Sequence, residues 1–221
     1  MSILAHAPVA REPRIVGWES MYRLIRQMGL LPFFENPIPG FSVEEHTDAE
    51  HWFTEDNLGP WDWKIDCLQT GDIVYGKYLW GGKAAFATVP VYRELMHYRR
   101  SLPKYAPTPQ QQPVLDLLAA NGSVTIADVR KLLGVKKSAA DALMTRLQMG
   151  TRVVTGDIRR VYRGSDLHYN GWQRSDFCRP DDLYEDLSVS HSPEESFRFL
   201  CDLVRRTSGD IPDKILFKLL G

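Results

Sequence analysis

Read as apolar and polar positions alone, the first half of the chain switches between helical and strand periods. Trp18, Met21, Ile25 and Met28 recur at helical spacing, and LPFFENPIPG then ends that helix in a loop. Ser42 with Glu45 after it is a capping-box pattern that starts a short helix. Pro60 suits a first helical position, so Trp61 to Gln69 reads as one or two turns stopping before Gly71. DIVYGKYL and KAAFATV are β-like runs joined by WGG, whose glycines can take the positive φ of a hairpin turn. PVYRELMHYRR opens on Pro90 and closes on arginines that suit the negative end of a helix dipole.

The middle segment has the most regular pattern. QQPVLDLLAAN reads as a helix ended at Gly122, and Thr125 caps a second one whose apolar stripe is Ile126, Val129, Leu132 and Leu133. After the turn at Gly134, Ala140, Leu143, Met144 and Leu147 fall on one face of a third helix. Two short helices around a glycine turn suggest helix-turn-helix. TRVVT and IRRVYR, separated by Gly156-Asp157, then read as a hairpin, giving winged-helix order. In the tail, Ser192, Pro193 and Glu195 start a helix with Phe197, Leu200, Leu203 and Val204 on one face, and an apolar last helix spans roughly Pro212 to Leu220.

The expectation is an α+β protein in four parts: a mixed, aromatic-rich unit with a β-hairpin over 1–102, a linker over 103–113, a winged helix over 114–165 and helical closure over 166–221. The prolines of SLPKYAPTPQQQP mark the linker. With 221 residues and 43% hydrophobic content, the chain is long enough to bury a substantial core.

Composition changes this picture in three ways. Cys67, Cys178 and Cys201 are odd in number and far apart, which suggests neither a disulfide framework nor a zinc site and makes a reducing cytoplasm the expected location. No apolar run is long enough to span a bilayer, and the first residues lack the pattern of a targeting segment. The net charge of −1 is also uneven, because residues 110–163 carry nine Lys or Arg against four acids. That local excess of +5 includes Arg130 and Arg163, and it makes the middle segment the part expected to meet nucleic acid, with DNA as partner.

The expected DNA-binding face combines Lys136, Lys137, Ser138, Asp141, Ala142 and Thr145 of the third helix with Arg152, Arg159 and Arg160 of the hairpin. A second candidate lies upstream, where Trp52, Trp61, Trp63 and Trp80 crowd near Glu55, Asp56, Asp62 and Asp66. Base-acting enzymes need stacking surfaces and a group that positions water, so these tryptophans form a candidate aromatic cleft and Asp62 and Asp66 are the candidate catalytic carboxylates. The bland alternative is that the indoles pack in a core; Trp61 and Trp63, two apart on a helix, point in different directions. His46 and His51 lack the spacing of a zinc helix, and no metal or cofactor is expected.

EEHTDAEHWFTED followed by GPWDWK, YGKYLWGGKAAFAT leading into HYRRS, and the run ending near VYRG together resemble the AlkZ-related family, distant kin of bacterial winged-helix DNA glycosylases, from Ser42 to Arg163. The resemblance implies DNA binding and a link to repair. The Gln-x-Gln or Gln-x-Asp motif that those glycosylases use to position water has no counterpart in a matching place, since Gln110 to Gln112 precede a helix in the linker. Three readings follow: a winged-helix DNA-binding protein, an active glycosylase using Asp62 or Asp66, and a non-catalytic interaction module dimerising through Leu216 and Phe217 of the last helix.

Overall fold

A computed structural model describes residues 11–54 and 58–221, so Glu55 and Asp56 lie outside the described residues. Helix α1 (Trp18–Met28) buries the face read from its spacing, Met21, Leu24, Ile25 and Met28. Strand β1 (Leu30–Pro32) follows directly, where the sequence suggested a loop. All three of its residues are buried, so it lacks the alternation that would betray a strand. The Ser42–Glu45 cap forms, with Ser42 Oγ 2.8 Å from a Glu45 carboxylate oxygen, but it supports only a single 3₁₀ turn, Glu44–His46. Helix α2 (Pro60–Gln69), strands β2 (Ile73–Leu79) and β3 (Lys83–Thr88), and helix α3 (Val89–Ser101) complete this half.

Three helices come next: α4 (Gln112–Asn121), α5 (Ile126–Leu133) and α6 (Lys137–Met149). Thr125 caps α5 through a reciprocal pair with Asp128, and Gly134 ends it in the left-handed conformation. Between α4 and α5 lies the short strand β4 (Ser123–Val124). A long ribbon follows, β5 (Val154–Arg163) and β6 (His168–Cys178). The ribbon departs from the sequence expectation at two points. Gly156-Asp157 is not the hairpin turn: the ladder shifts register between Thr155 and Asp157, so the glycine sits in a bulge and the strand runs on to a turn after Arg163. The region after 166 is also not purely helical, since it begins with an eleven-residue strand.

The strands form one sheet in the order β1-β3-β2-β5-β6-β4, antiparallel throughout the named pairs. The chain on both sides of the proline linker therefore shares it, joined where Tyr75 of β2 pairs with Thr155 of β5. Among the described residues, two sizeable cores flank that junction, and a small cluster of Ile65, Leu68 and Ile158 packs against Tyr75. The larger holds Phe33, Phe41, Tyr78, Phe86 and Tyr92. The smaller holds Val114, Leu118, Val129, Ala140, Met144 and Leu147.

After the short helix α7 (Pro180–Leu183), the closing helices α8 (Pro193–Ser208) and α9 (Asp213–Leu220) return to the larger core, where Leu200, Val204, Leu216, Leu219 and Leu220 are buried. The apolar face of α9 is thus covered within the chain. Leu216 is only 1% exposed, whereas Phe217 is 57% exposed and stacks on Phe197 at 5.0 Å. A charge at Leu216 would break the fold before it could report on dimerisation.

One buried cation ties these parts together. Arg99, 1% exposed on α3, donates Nε to Leu220 O at 2.8 Å, Nη1 to Met149 O at 3.0 Å and to Tyr78 O, and packs over the Tyr105 ring. Its partners are carbonyls at the C-terminal ends of α6 and α9 and on β2, where a helix carries partial negative charge.

Candidate functional site

The helices α5 and α6, the ribbon, β2 and α2 enclose an open cleft of about 840 Å3. Six cations line it, Lys64, Lys77, Arg130, Lys137, Arg163 and Arg174, and Asp141 is the one carboxylate among the described lining residues. Five of the six are solvent-exposed; Lys64 is buried. Trp61 and Trp172 supply indole surface, and the Arg163 guanidinium lies 4.8 Å from the Trp172 ring.

Contacts between α6 and the first half of the chain fix one wall. The Gln148 side chain is buried and accepts the Lys77 backbone N–H at 2.9 Å. Gly82, at φ +72 to +100 with its neighbour Gly81, lets the β2–β3 turn approach α6: a Cβ there would come within 2.5 Å of Thr145 Cγ2.

The opposite wall is built where α2 meets the ribbon. Arg160 and Gln173 are register partners across β5 and β6, so both side chains leave the same face, toward α2. Asp62 accepts Arg160 at 3.0, 3.2 and 2.9 Å and also the Tyr169 hydroxyl at 2.8 Å, while Asp66 accepts Arg160 at 3.3 Å. These bonds to Asp62 hold the Arg160 guanidinium above its usual range, and burial raises Tyr169 to about 12. Trp61 Nε1 donates to Gly171 O at 3.1 Å; Gly171 sits at φ +85, and a Cβ would lie 3.3 Å from Leu58 Cδ1.

At the centre of that wall is Lys64. Its side chain is 2% exposed, its Nζ donates to Trp61 O and to Gln173 Oε1 at 2.5 Å, and it lies 3.6 Å from the Trp61 ring centroid. Gln173 is itself fixed, donating Nε2 to Trp61 O at 3.0 Å and to Tyr169 Oη at 2.9 Å. Burial pushes the Lys64 ammonium down to about 7; Asp62 opposes that shift and Arg160 adds to it.

The expected site residues are distributed as follows. Lys137 and Thr145 line the cleft, while Lys136 and Ser138 are exposed at the start of α6 outside its lining. Arg152 lies in a separate pocket with Arg100, Arg179 and Asp181. Arg159 pairs with Asp176, and Arg160 is engaged by Asp62 and Asp66, so neither is a free wing cation. The four tryptophans do not form one aromatic cleft. Only Trp61 lines it; Trp52, Trp63 and Trp80 pack against the larger core, and Trp63 does so because it leaves a different face of α2 from Trp61. Gln111 accepts the Thr108 N–H at 2.9 Å as a local cap before α4, and Gln112 bonds Asp116.

Sequence reasoning counted Arg130 and Arg163 in the basic segment but did not assign them roles, and it missed Lys64, Lys77, Trp172 and Arg174. The alternating HYNGWQRSDFC run was the available signal for the last two.

A family model described as AlkZ related matches residues 15–221. The chain belongs to the AlkZ-related family. No curated protein and no solved structure matches it. Among the described residues, no helix of this AlkZ-related chain is long and apolar enough to cross a membrane, and no group of three His, Cys, Asp or Glu gathers to hold a metal ion.

Proposed function

We propose that this AlkZ-related protein binds duplex DNA in the cationic cleft, with α4 to α6 and the β5–β6 ribbon acting as a winged helix-turn-helix. The observation that carries the reading is the charge of the lining, five exposed cations beside the buried Lys64 against one carboxylate among the described residues, in a chain whose net charge is −1. The cations come from β2, α2, α5, α6 and both ribbon strands, a spread that suits a row of phosphates better than one small anion. Trp61 and Trp172 add flat surfaces on which a base can stack. Membership of the AlkZ-related family supports a role connected with DNA repair. The start of α6 is exposed and presents Lys136, Lys137 and Ser138, which suits phosphate contacts that set register on the duplex.

The test is fluorescence anisotropy with a labelled duplex over a salt series. If the five exposed cleft cations each neutralise a phosphate, the log–log salt slope will be about −4 to −5. Combining Lys137→Glu, Arg163→Glu and Arg174→Glu will weaken binding more than tenfold and flatten the slope by about 3. Absent or salt-insensitive binding by the unaltered protein, or an unchanged slope in the triple variant, refutes the assignment.

A further inference from the structure

We propose that Lys64 is a nucleophilic amine that forms a Schiff base with an aldehyde carried on DNA, the open-chain sugar of an abasic site. The inference rests on the DNA-binding reading of the cleft and adds a substrate class to it. Lys64 differs in kind from the other five cleft cations: they are exposed, whereas its side chain is buried within the wall. It has no carboxylate among its hydrogen-bond partners, because Asp62 and Asp66 are turned onto Arg160. The carbonyl of Trp61 and Oε1 of Gln173 accept two N–H bonds, so a neutral amine keeps its lone pair outside these hydrogen bonds.

The supporting residues suit that role. Gln173 is oriented by its two donated bonds, to Trp61 O and Tyr169 Oη, so its Oε1 faces Lys64. With burial holding the ammonium near 7, a substantial fraction is free amine at neutral pH, where an exposed lysine is almost wholly protonated. A small phosphorylated aldehyde would call for cations converging on one phosphate, but those lining the cleft are distributed over its walls.

In the reaction, the Nζ lone pair attacks the aldehyde carbon, a C–N bond forms and the carbonyl π pair moves to oxygen. The alkoxide takes up one proton as the nitrogen releases one, giving a carbinolamine; its hydroxyl is protonated by solvent, the C–O bond breaks to release water as the nitrogen lone pair forms the C=N bond, and the nitrogen returns its last proton to solvent. Amine and aldehyde thus become imine and water, with no change in oxidation state.

The experiment incubates the full chain with a duplex holding one abasic site in the presence of sodium cyanoborohydride, which reduces an imine to a stable secondary amine. Adducts are quantified on denaturing gels, and the modified residue is identified by peptide mass spectrometry. Expected are an adduct mapped to Lys64, formed at a rate that rises with pH around a midpoint near 7, and at least a tenfold loss of adduct in Lys64→Arg, with folding of the variant checked by circular dichroism. Mapping on the unaltered protein keeps the test valid even if the variant fails to fold. A retained duplex with no adduct, or with the adduct on Lys137 or another exposed lysine, overturns the lysine assignment while leaving the DNA reading intact. A duplex that is not retained overturns both. Trapping of pyridoxal phosphate at Lys64 without trapping of abasic DNA overturns the nucleic-acid source of the aldehyde.

Discussion

Asp62 provides the sharpest test of how the α2–ribbon wall works, because it is engaged structurally while standing beside the one buried amine. Asp62→Asn keeps the shape of the side chain but removes its charge, leaving one acceptor oxygen for Arg160 and Tyr169 to share. Hydrogen bonds to charged groups contribute about 1.5–3 kcal/mol, against about 1 for neutral ones. Arg160 keeps Asp66 at 3.3 Å, and the Arg160 and Asp62 side chains are 27% and 23% exposed, so the loss stays below the figure for a fully buried pair. The expected destabilisation is about 2 kcal/mol, or a fall in Tm of roughly 4–8 °C for a chain of this size, read by calorimetry.

The same variant should also move Lys64. The Asp62 charge favours the ammonium, so Asn will lower its midpoint further below about 7, whereas Arg160→Met removes a repelling charge and will raise it. The pH profile of reductive trapping with a small aldehyde reports both shifts. Movement of the two midpoints in the same direction, or a Tm unchanged within 1 °C in Asp62→Asn, refutes the wall as described.

Two further outcomes follow from the packing. Burial pushes the Glu94 carboxyl up, but hydrogen bonds from Ser196 at 2.6 Å and His191 at 2.8 Å outweigh it and hold Glu94 below its ordinary 4.5. Its contribution to stability is therefore fully present above about pH 4.5 and is lost as pH falls through the lowered value; urea midpoints between pH 7 and 3 will show this loss, and Ser196→Ala will reduce it. Gly171→Ala must place a Cβ at φ +85 and 3.3 Å from Leu58, which will cost about 1–3 kcal/mol in chemical denaturation; a stabilised variant would show that the ribbon accommodates a side chain there.

The helices were legible in the sequence wherever a local rule governs them. Thr125 with Asp128, Ser192 with Glu195, and the glycine at 134 are short-range signals that tertiary packing reinforces. The misreadings share a cause. Gly156-Asp157 has the letters of a turn, yet pairing with a distant partner strand converts it to a bulge, and β6 was missed because, until Phe177 and Cys178 at its end, its polar and aromatic residues do not enter an apolar core. The site shows the same division. Net charge located the basic segment, but which cations remain free depended on long-range pairing: Arg160 meets Asp62 across 98 residues of chain, and Lys64 meets Gln173 across 109. The direction of Trp61 and Trp63 could be inferred from helical geometry, but not the compartment each would enter.

Arg99 has a consequence for the cleft although it lines none of it. Because this single guanidinium grips the final turns of both α6 and α9, the pitch of the cleft's helical wall is set by a segment more than sixty residues further along the chain. Moving the helix that presents Lys137 without the closing helix would strand a positive charge away from water. One side chain thus couples the wall of the cavity to helix α9.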